Sequence, residues 1–401
     1  MSQLLINLNP DLKRLRDEGY EIEIFSGLIV MRGIPYVNSQ REVKKADLIS
    51  TFRLSGNQSV QLDTHVVSFT GEYPCDKDGN RLVKLVNASN TTQLAGGVIA
   101  QHTFSSKPRG GYQDFYEKMT TYIAILSGPA QALDPKADAK TFRPIESKEE
   151  ESVFKYVDTA TSRAGIYEVS KKLEPLKIAI IGLGGTGSYI LDLVAKTPVK
   201  EIHLYDADWY FLHNSYRSPG VPTKVDLQTP QKKVDYYRNK YSEFRTDIFS
   251  HDYNVDQETI NELSDMDFVF ISIDGGKDKA LIFDRLEEFG IPFIDVGMGV
   301  YLVKEKAALG GVLRVTTSTV YQREPARKRV SFAEEVDHNN IYGQNIQTAG
   351  LNALNASLAV HQWMQLFGFY LDFEKEHSSM FMIDGNIITN EDKPCAELET
   401  V

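Results

Sequence analysis

The stretch Ile178-Ala-Ile-Ile-Gly-Leu-Gly-Gly-Thr-Gly187 is a buried-strand run that ends in G-x-G-x-x-G. Gly182, Gly184 and Gly187, with Gly185 in the same turn, permit a tight bend and a close approach of backbone to phosphate. A helix that starts here points unpaired N–H groups at an anion. Asp206 follows about 20 residues beyond the last glycine, at the end of the next strand, where a carboxylate meets a ribose hydroxyl. No G-x-x-x-x-G-K-[ST] occurs, so the cradle is not a P-loop. On these residues alone a dinucleotide such as NAD stands at least level with ATP.

The residues after Asp206 shift that balance. The run Asp206-Ala-Asp-Trp-Tyr-Phe-Leu-His-Asn-Ser-Tyr-Arg217 resembles the signature of the ThiF/MoeB/HesA family, relatives of the ubiquitin-activating enzymes. That signature reads D-x-D, a short spacer, then N-x-x-R, and Asp206, Asp208, Asn214 and Arg217 fall on its positions. The resemblance implies adenylation, which joins a carboxylate to the α-phosphate of ATP and expels pyrophosphate. All the reacting groups are anionic, so Mg²⁺ and cationic side chains belong around them. Arg217 can clamp phosphate oxygens bidentately, and by resemblance Asn214 faces the phosphates too.

The likeness continues through the ordered set downstream. Thr223 to Val234 leads into a charged helix, at whose start the family places a catalytic lysine. Lys233 fits that place best, with Lys232 beside it still open. Asp267-Phe-Val-Phe-Ile-Ser-Ile-Asp274 is an apolar strand ending in a carboxylate. The family has a Mg²⁺-associated aspartate there, usually followed by Asn; here Gly275 follows. In Thr161-Ser-Arg163, Arg163 falls where the family has an arginine that reaches into the partner protomer's ATP. The resemblance covers about residues 162–388. It implies a Rossmann-like α/β adenylation domain, ATP and Mg²⁺ as cofactors, and a homodimer packed through that domain. It also implies a ubiquitin-like or sulfur-carrier protein whose C-terminal carboxylate is adenylated, with a conjugating-enzyme-like protein as a further partner.

The elements that must position these groups follow from pattern. Strand and helix alternate after residue 160, which argues for a mostly parallel sheet. Strands are expected at 177–181, 201–205, 267–273, 292–296 and from 312. Helices are expected over 188–196 and, long and mostly apolar, over 346–370. Before it lies an α+β region. Asp11 to Gly19 has helical spacing, and so has Asp114 to Leu126; Ser26-Gly27 signals a hairpin between strands at 20–25 and 28–32. Residues 61–70 alternate as a strand does. The expected organisation is an α+β accessory domain over 1–140, a connector over 141–160, the ThiF-type adenylation domain over 161–390 and a polar tail over 391–401. The accessory part holds no paired carboxylates, nucleophile elbow or metal cluster, and its lone His65 and His102 read as structural.

Composition narrows the classes. The 401 residues carry 44 basic and 55 acidic side chains, a net charge of −11, and 42% apolar content, enough for two cores. An acidic chain has no global electrostatic reason to bind nucleic acid or an anionic membrane. The start turns charged too soon for a signal peptide, and no run is long and apolar enough to span a bilayer, so a cytoplasmic enzyme is expected. Only Cys75 and Cys395 occur, which excludes the zinc-holding CxxC pairs many ThiF-type enzymes carry. Ubiquitin-activating enzymes pass the acyl group to a cysteine in a crossover loop. The matching stretch here, about 318–343, has a basic run at Arg323–Arg329 and no cysteine. Cys75 reads as a turn residue and Cys395 as part of the tail. Two rival functions remain: an NAD-dependent oxidoreductase, with no use for Asn214, Arg217 and Asp274, and an inactive scaffold, which need not keep Asp206, Arg217 and Asp274 together.

Overall fold

A computed structural model describes residues 2–55, 58–60, 64–143, 152–156, 158–164, 166–332 and 346–390. The acidic run over 146–151, much of the 318–343 stretch and Cys395 with its tail lie outside the described residues. The chain divides into two units, Met1–Ser152 with Tyr156–Glu168, and Val153–Lys155 with Val169–Val401.

The first unit begins with α1 (Ser2–Leu8) and α2 (Pro10–Asp17). Its strands are β1 (Ile22–Phe25), β2 (Leu28–Val37), β3 (Val43–Thr51), β4 (Arg53–Ser55), β5 (Gln58–Val60), β6 (Val66–Phe69), β7 (Val86–Ala88), β8 (Thr92–Gln93), β9 (Ile99–Ala100) and β10 (His102–Ser105). An antiparallel sheet runs β1-β2-β3-β6-β10-β7. Ser26 and Gly27 both have positive φ, the turn that matches strand twist in a two-residue hairpin. Helix α3 (Phe115–Leu133), capped by the Asp114 carboxylate on the Glu117 N–H, buries Phe115, Met119, Tyr122, Ile123 and Leu126. These meet Leu12, Leu15, Ile29, Met31, Leu48 and Phe104 in one core. Helices α4 (Thr159–Ala164) and α5 (Tyr167–Ser170) follow.

The second unit opens with β11 (Lys177–Ile181), α6 (Gly185–Val194) and β12 (Glu201–Tyr205). Next come the short α7 (Leu212–Ser215) and α8 (Lys224–Gln228), then α9 (Lys233–Ser242), β13 (Ile248–His251), β14 (Phe268–Ile271) and α10 (Lys277–Phe289). The chain continues through β15 (Phe293–Val303), β16 (Ala308–Ser318), α11 (Arg323–Arg329), α12 (Ala349–Leu366), β17 (Ser378–Met382) and β18 (Ile387–Asn390). The eight-stranded sheet runs β13-β12-β11-β14-β15-β16-β17-β18. Its first five strands are parallel and the last three add on antiparallel. Both faces are covered, as a parallel sheet requires. Ile178, Ile180, Leu204 and Phe270 meet Leu191 of α6, Tyr237 of α9 and Trp363 of α12 on one side. Ala179, Ile181, Val269 and Ile271 meet Ile282, Phe283 and Leu286 of α10 on the other.

The second unit is the expected Rossmann-like α/β sheet, and the first is a separate sheet-rich α+β unit. From β11 the chain moves outward to β12 and β13, then returns to place β14 on the other side of β11. Such a reversal leaves a crevice at the carboxyl ends of the central strands, where open α/β sheets bind ligands. Part of the expected connector does more than connect: Thr246 N–H donates to the Val153 carbonyl at 2.7 Å, and Phe154 rests on Phe244 with ring centroids 5.3 Å apart.

Candidate active site

The glycine turn closes because its side chains are missing. Gly182 has φ +87°, and a Cβ there would strike the Ser272 carbonyl oxygen in the loop after β14. A Cβ on Gly187 would strike the Gly182 carbonyl oxygen, so these two glycines draw strand, turn and helix together. Gly185 lies against the Asn352 side chain, whereas Gly184 faces open space with nothing within 4 Å of its Cβ position. Helix α6 starts at Gly185 itself, three residues earlier than the sequence pattern suggests, and no side chain caps it. Its first amides therefore point at the open side of Gly184, a place suited to an anion.

Asp206 stands where β12 ends and is buried. Its Oδ2 accepts the Leu183 N–H of the glycine turn at 2.7 Å, and its Oδ1 accepts the Asp208 N–H at 2.9 Å. Lys233, the first residue of α9, is also buried and bridges the two acids, with Nζ 3.3 Å from Asp206 and 2.7 Å from Asp208. The Asp208 carboxylate is largely exposed, so this bridge runs from the interior to the rim. Lys232 turns elsewhere: its Nζ donates to the Ala207 carbonyl at 2.5 Å and lies 4.8 Å from the centre of the Trp209 ring.

Asn214 is buried in α7, and its Oδ1 accepts the Phe211 N–H at 2.8 Å, which caps that short helix. This bond fixes the turn that delivers Arg217. The Arg217 carbonyl accepts from Asn352 Nδ2 at 3.0 Å, and the Asn352 Oδ1 accepts from Thr186 Oγ1 at 3.1 Å. Arg217 thus sits beside the first turn of α6, and its Nε is buried without a hydrogen-bond partner. Asp274 lies three residues past the end of β14 and is exposed. The strand stops earlier than expected because Gly182 contacts it at Ser272 and the chain then turns through Gly276, at φ +124°, into α10. Position 163 falls on α4, and its side chain lies outside the described residues.

Sequence reasoning missed Asn352, which ties α12 to the glycine helix and to Arg217. It also missed a fully buried Asp295 on β15 between Lys279 and Arg314. Neither has a sequence signal, since both depend on which residues the sheet brings together. A third unforeseen feature borders Asp206: the Tyr205 ring stacks on His251 with centroids 4.2 Å apart, and the Asp206 N–H donates to the His251 carbonyl. Burial lowers the pKa of both His251 and its neighbour His203. The basic run at 323–329 is helix α11, and Arg327 pairs with Asp284 and Glu287 of α10. Cys75 is buried and bridges to Val37 and Arg81, with its thiol pKa raised by burial. Among the described residues there is no group of three or more His, Cys, Asp or Glu poised to hold a metal ion, and no helix long and apolar enough to cross a membrane.

Residues 159–391 match the ThiF family, and residues 10–159 match a domain of unknown function, DUF6791. The first match spans more than half of the chain, which therefore belongs to the ThiF family, a family of adenylyltransferase type. Solved structures with a similar fold include E. coli MccB with AMPCPP and MccA, at 15% identity over 60% of this chain and 73% of that one, TM-score 0.46. Another is E. coli MccB with ATP, at 14% identity over 60% and 70%, TM-score 0.42. A third is PaaA, at 16% identity over 69% and 95%, TM-score 0.45. No curated protein matches the chain.

Proposed function

We propose that the C-terminal unit uses Mg²⁺ and ATP to adenylate the C-terminal carboxylate of a ubiquitin-like or sulfur-carrier protein, for conjugation or sulfur transfer. The observation that carries this reading is the cationic pair at one crevice. Lys233 is held between Asp206 and Asp208, while Arg217 keeps a buried, unpartnered Nε beside the glycine turn. A nicotinamide enzyme needs no such pair around its pyrophosphate, whereas a reaction that gathers a carboxylate and a triphosphate does.

In this reading the glycine turn and the amides of α6 receive phosphate oxygens. Asp206 and Asp208 take the ribose side, since an ionised carboxylate has about four acceptor sites and Asp206 uses only some of them. Lys233 has three N–H donors, and two acids engage it, which leaves one for a phosphate oxygen. Arg217 supplies its free donors to the phosphates, with Asn214 fixing its turn. The incoming carboxylate attacks the α-phosphorus, the acyl-phosphate bond forms, and the bond to pyrophosphate breaks. Mg²⁺ fits the donor set, because in nucleotide sites it is held by one or two carboxylates together with substrate phosphates rather than by an all-protein cage. Asp274, exposed at the carboxyl end of β14, would hold it, and the ion would offset charge on the departing pyrophosphate.

We place the second protomer of a homodimer on the exposed apolar side chains Trp209, Phe211, Leu212, Tyr216 and Val221, a run that borders the site. Arg163 would serve the partner's ATP. The soluble interior of the cell is the setting such chemistry needs. Calorimetric titration with Mg·ATP and, separately, with NAD tests the nucleotide reading. Binding of ATP is the expected result, and micromolar NAD binding with none for ATP would replace it with the oxidoreductase reading.

A further inference from the structure

We infer that Lys279 is a positioning residue for Asp274, an inference that rests on the adenylation reading. Lys279 lies in the first turn of α10 and is buried, with its side chain only 4% exposed. Its Nζ forms an ion pair with Asp295 Oδ1 at 2.6 Å, and it donates a hydrogen bond to the Ile273 carbonyl at 3.3 Å. That carbonyl belongs to the residue immediately before Asp274. The Asp295 side chain is wholly buried in β15, and its other oxygen lies 2.6 Å from Arg314 Nη2 on β16.

The three charges sum to one positive charge under the loop that carries Asp274. A lone buried acid needs only one cation for balance, and isolated buried charge is costly. Arg314 supplies that balance from the neighbouring strand and also donates to the Arg329 carbonyl after β16. Lys279 is therefore surplus to the neutralisation of Asp295. What it alone adds is a hold on the loop backbone at residue 273. Past Ile273, which packs on the core, the chain turns through Gly275 and Gly276, and Gly276 occupies φ +124°, so Asp274 sits on a glycine-flanked bend. A carboxylate that must meet an ion and a departing pyrophosphate at a set place gains from such an anchor, since loosely held catalytic groups lose rate steeply with misplacement.

The same charge triad provides the control. Lys279→Met removes one cation from Asp295 and frees the 273 carbonyl. Arg314→Met removes the other cation from the same carboxylate and leaves the loop anchor in place. Amide hydrogen exchange of Ser272 and Ala280, the hydrogen-bonded amides on either side of Asp274, needs no ligand in the full-length chain. Lys279→Met should raise it about tenfold or more, the size of one hydrogen bond from a charged donor. Arg314→Met should leave it within about twofold of wild type, and Lys279→Arg, with charge and donors kept, should restore protection. Calorimetry with ATP then reads function. Lys279→Met should weaken binding about tenfold in Mg²⁺ and little in EDTA. Equal effects in Lys279→Met and Arg314→Met, unchanged loop exchange in Lys279→Met, or a Lys279→Met chain that fails to fold would each overturn the proposal in favour of a plain fold clamp. A wild-type chain that binds no ATP would defeat the adenylation reading instead, and the exchange measurement would still decide whether Lys279 holds the loop.

Discussion

Replacing Arg217 by Met separates the needs of the fold from those of the nucleotide. In the free protein the Arg217 Nε is buried and unpartnered. Leaving such a donor without an acceptor costs about 1–3 kcal/mol. Met keeps most of the aliphatic length and none of the donors, and it does not touch the Arg217 carbonyl that Asn352 binds. Some packing of the guanidinium is lost, so the net change in the free protein is about 0 to +1 kcal/mol in favour of the variant. For a unit of this size that is a rise of roughly 0–4 °C in melting temperature. Nucleotide reverses the order. Losing one charge-assisted contact to phosphate costs about 1.5–3 kcal/mol, and a loss of about 2 kcal/mol is roughly 30-fold in affinity. At an ATP concentration about 100 times the wild-type Kd, wild type gains about 2.7 kcal/mol, while a variant that binds 30-fold more weakly gains about 0.9 kcal/mol. The two melting curves should therefore cross: Met at or above wild type without ATP, and several degrees below it with Mg·ATP. Differential scanning fluorimetry in both conditions measures this. A variant at least 1 kcal/mol less stable without ligand, with an undiminished ATP shift, would show that Arg217 serves the fold and not the phosphates.

Four other outcomes are expected. Asp274→Ala should keep its melting temperature, because the side chain is exposed, yet lower carrier-dependent pyrophosphate exchange by about a hundred- to a thousandfold; retention of more than half the activity would refute the placement of the metal. Replacing Cys75 and Cys395 together should leave adenylate formation unchanged, as a buried thiol with a raised pKa is a poor nucleophile; intact-mass analysis of enzyme with ATP, Mg²⁺ and carrier checks this, and a reducible adduct lost in Cys395→Ala would establish a thioester on the tail. Sedimentation at micromolar concentration should show a homodimer, and charged replacement of Phe211 and Leu212 should dissociate it; a fully active monomer would remove that interface. The buried Lys118 titrates at about 8 because burial disfavours its charge, so between about pH 8 and 10 the unfolded chain holds more protons and stability should rise with pH; subtracting the Lys118→Met profile isolates the effect, and a flat difference over that window would contradict it.

The fold of the second unit was legible because its signals are local. Apolar runs mark β11 and β14, alternation marks β12, and the glycines mark the turn between β11 and α6. What sequence pattern placed badly were positions where breakers are tolerated. Strand β2 runs on to Val37 through Gly33 and Pro35, with a register shift between Met31 and Ile34 that absorbs them. Helix α3 likewise continues through Gly128 and Pro129 to Leu133. In both cases packing on the core outweighs a local preference of a few kcal/mol at most. The last two strands of the sheet, β17 and the edge strand β18, gave no warning, being short and half-exposed.

The candidate site divides along the same line. The residues proposed to meet the nucleotide come from the ends of consecutive elements, so Gly182, Asp206, Asp208, Asn214, Arg217 and Lys233 could be read in order from one stretch of chain. The groups that hold those residues still come from strands and helices brought in later. Asn352 reaches Thr186 from 166 residues away, and Arg314 meets Asp295 only because β15 and β16 pair with Gly297 opposite Arg314. That register carries the guanidinium over a glycine, where a Cβ would collide with it, and sets it against the buried acid two residues back. A one-residue slip would move Arg314 to the other face of the sheet and leave Asp295 with Lys279 alone. The supporting shell is thus written in the strand register, and the register is fixed by the burial of whole faces rather than by any motif. Candidate contact residues can be read from spacing, but what holds them in place becomes visible only once the sheet is assembled.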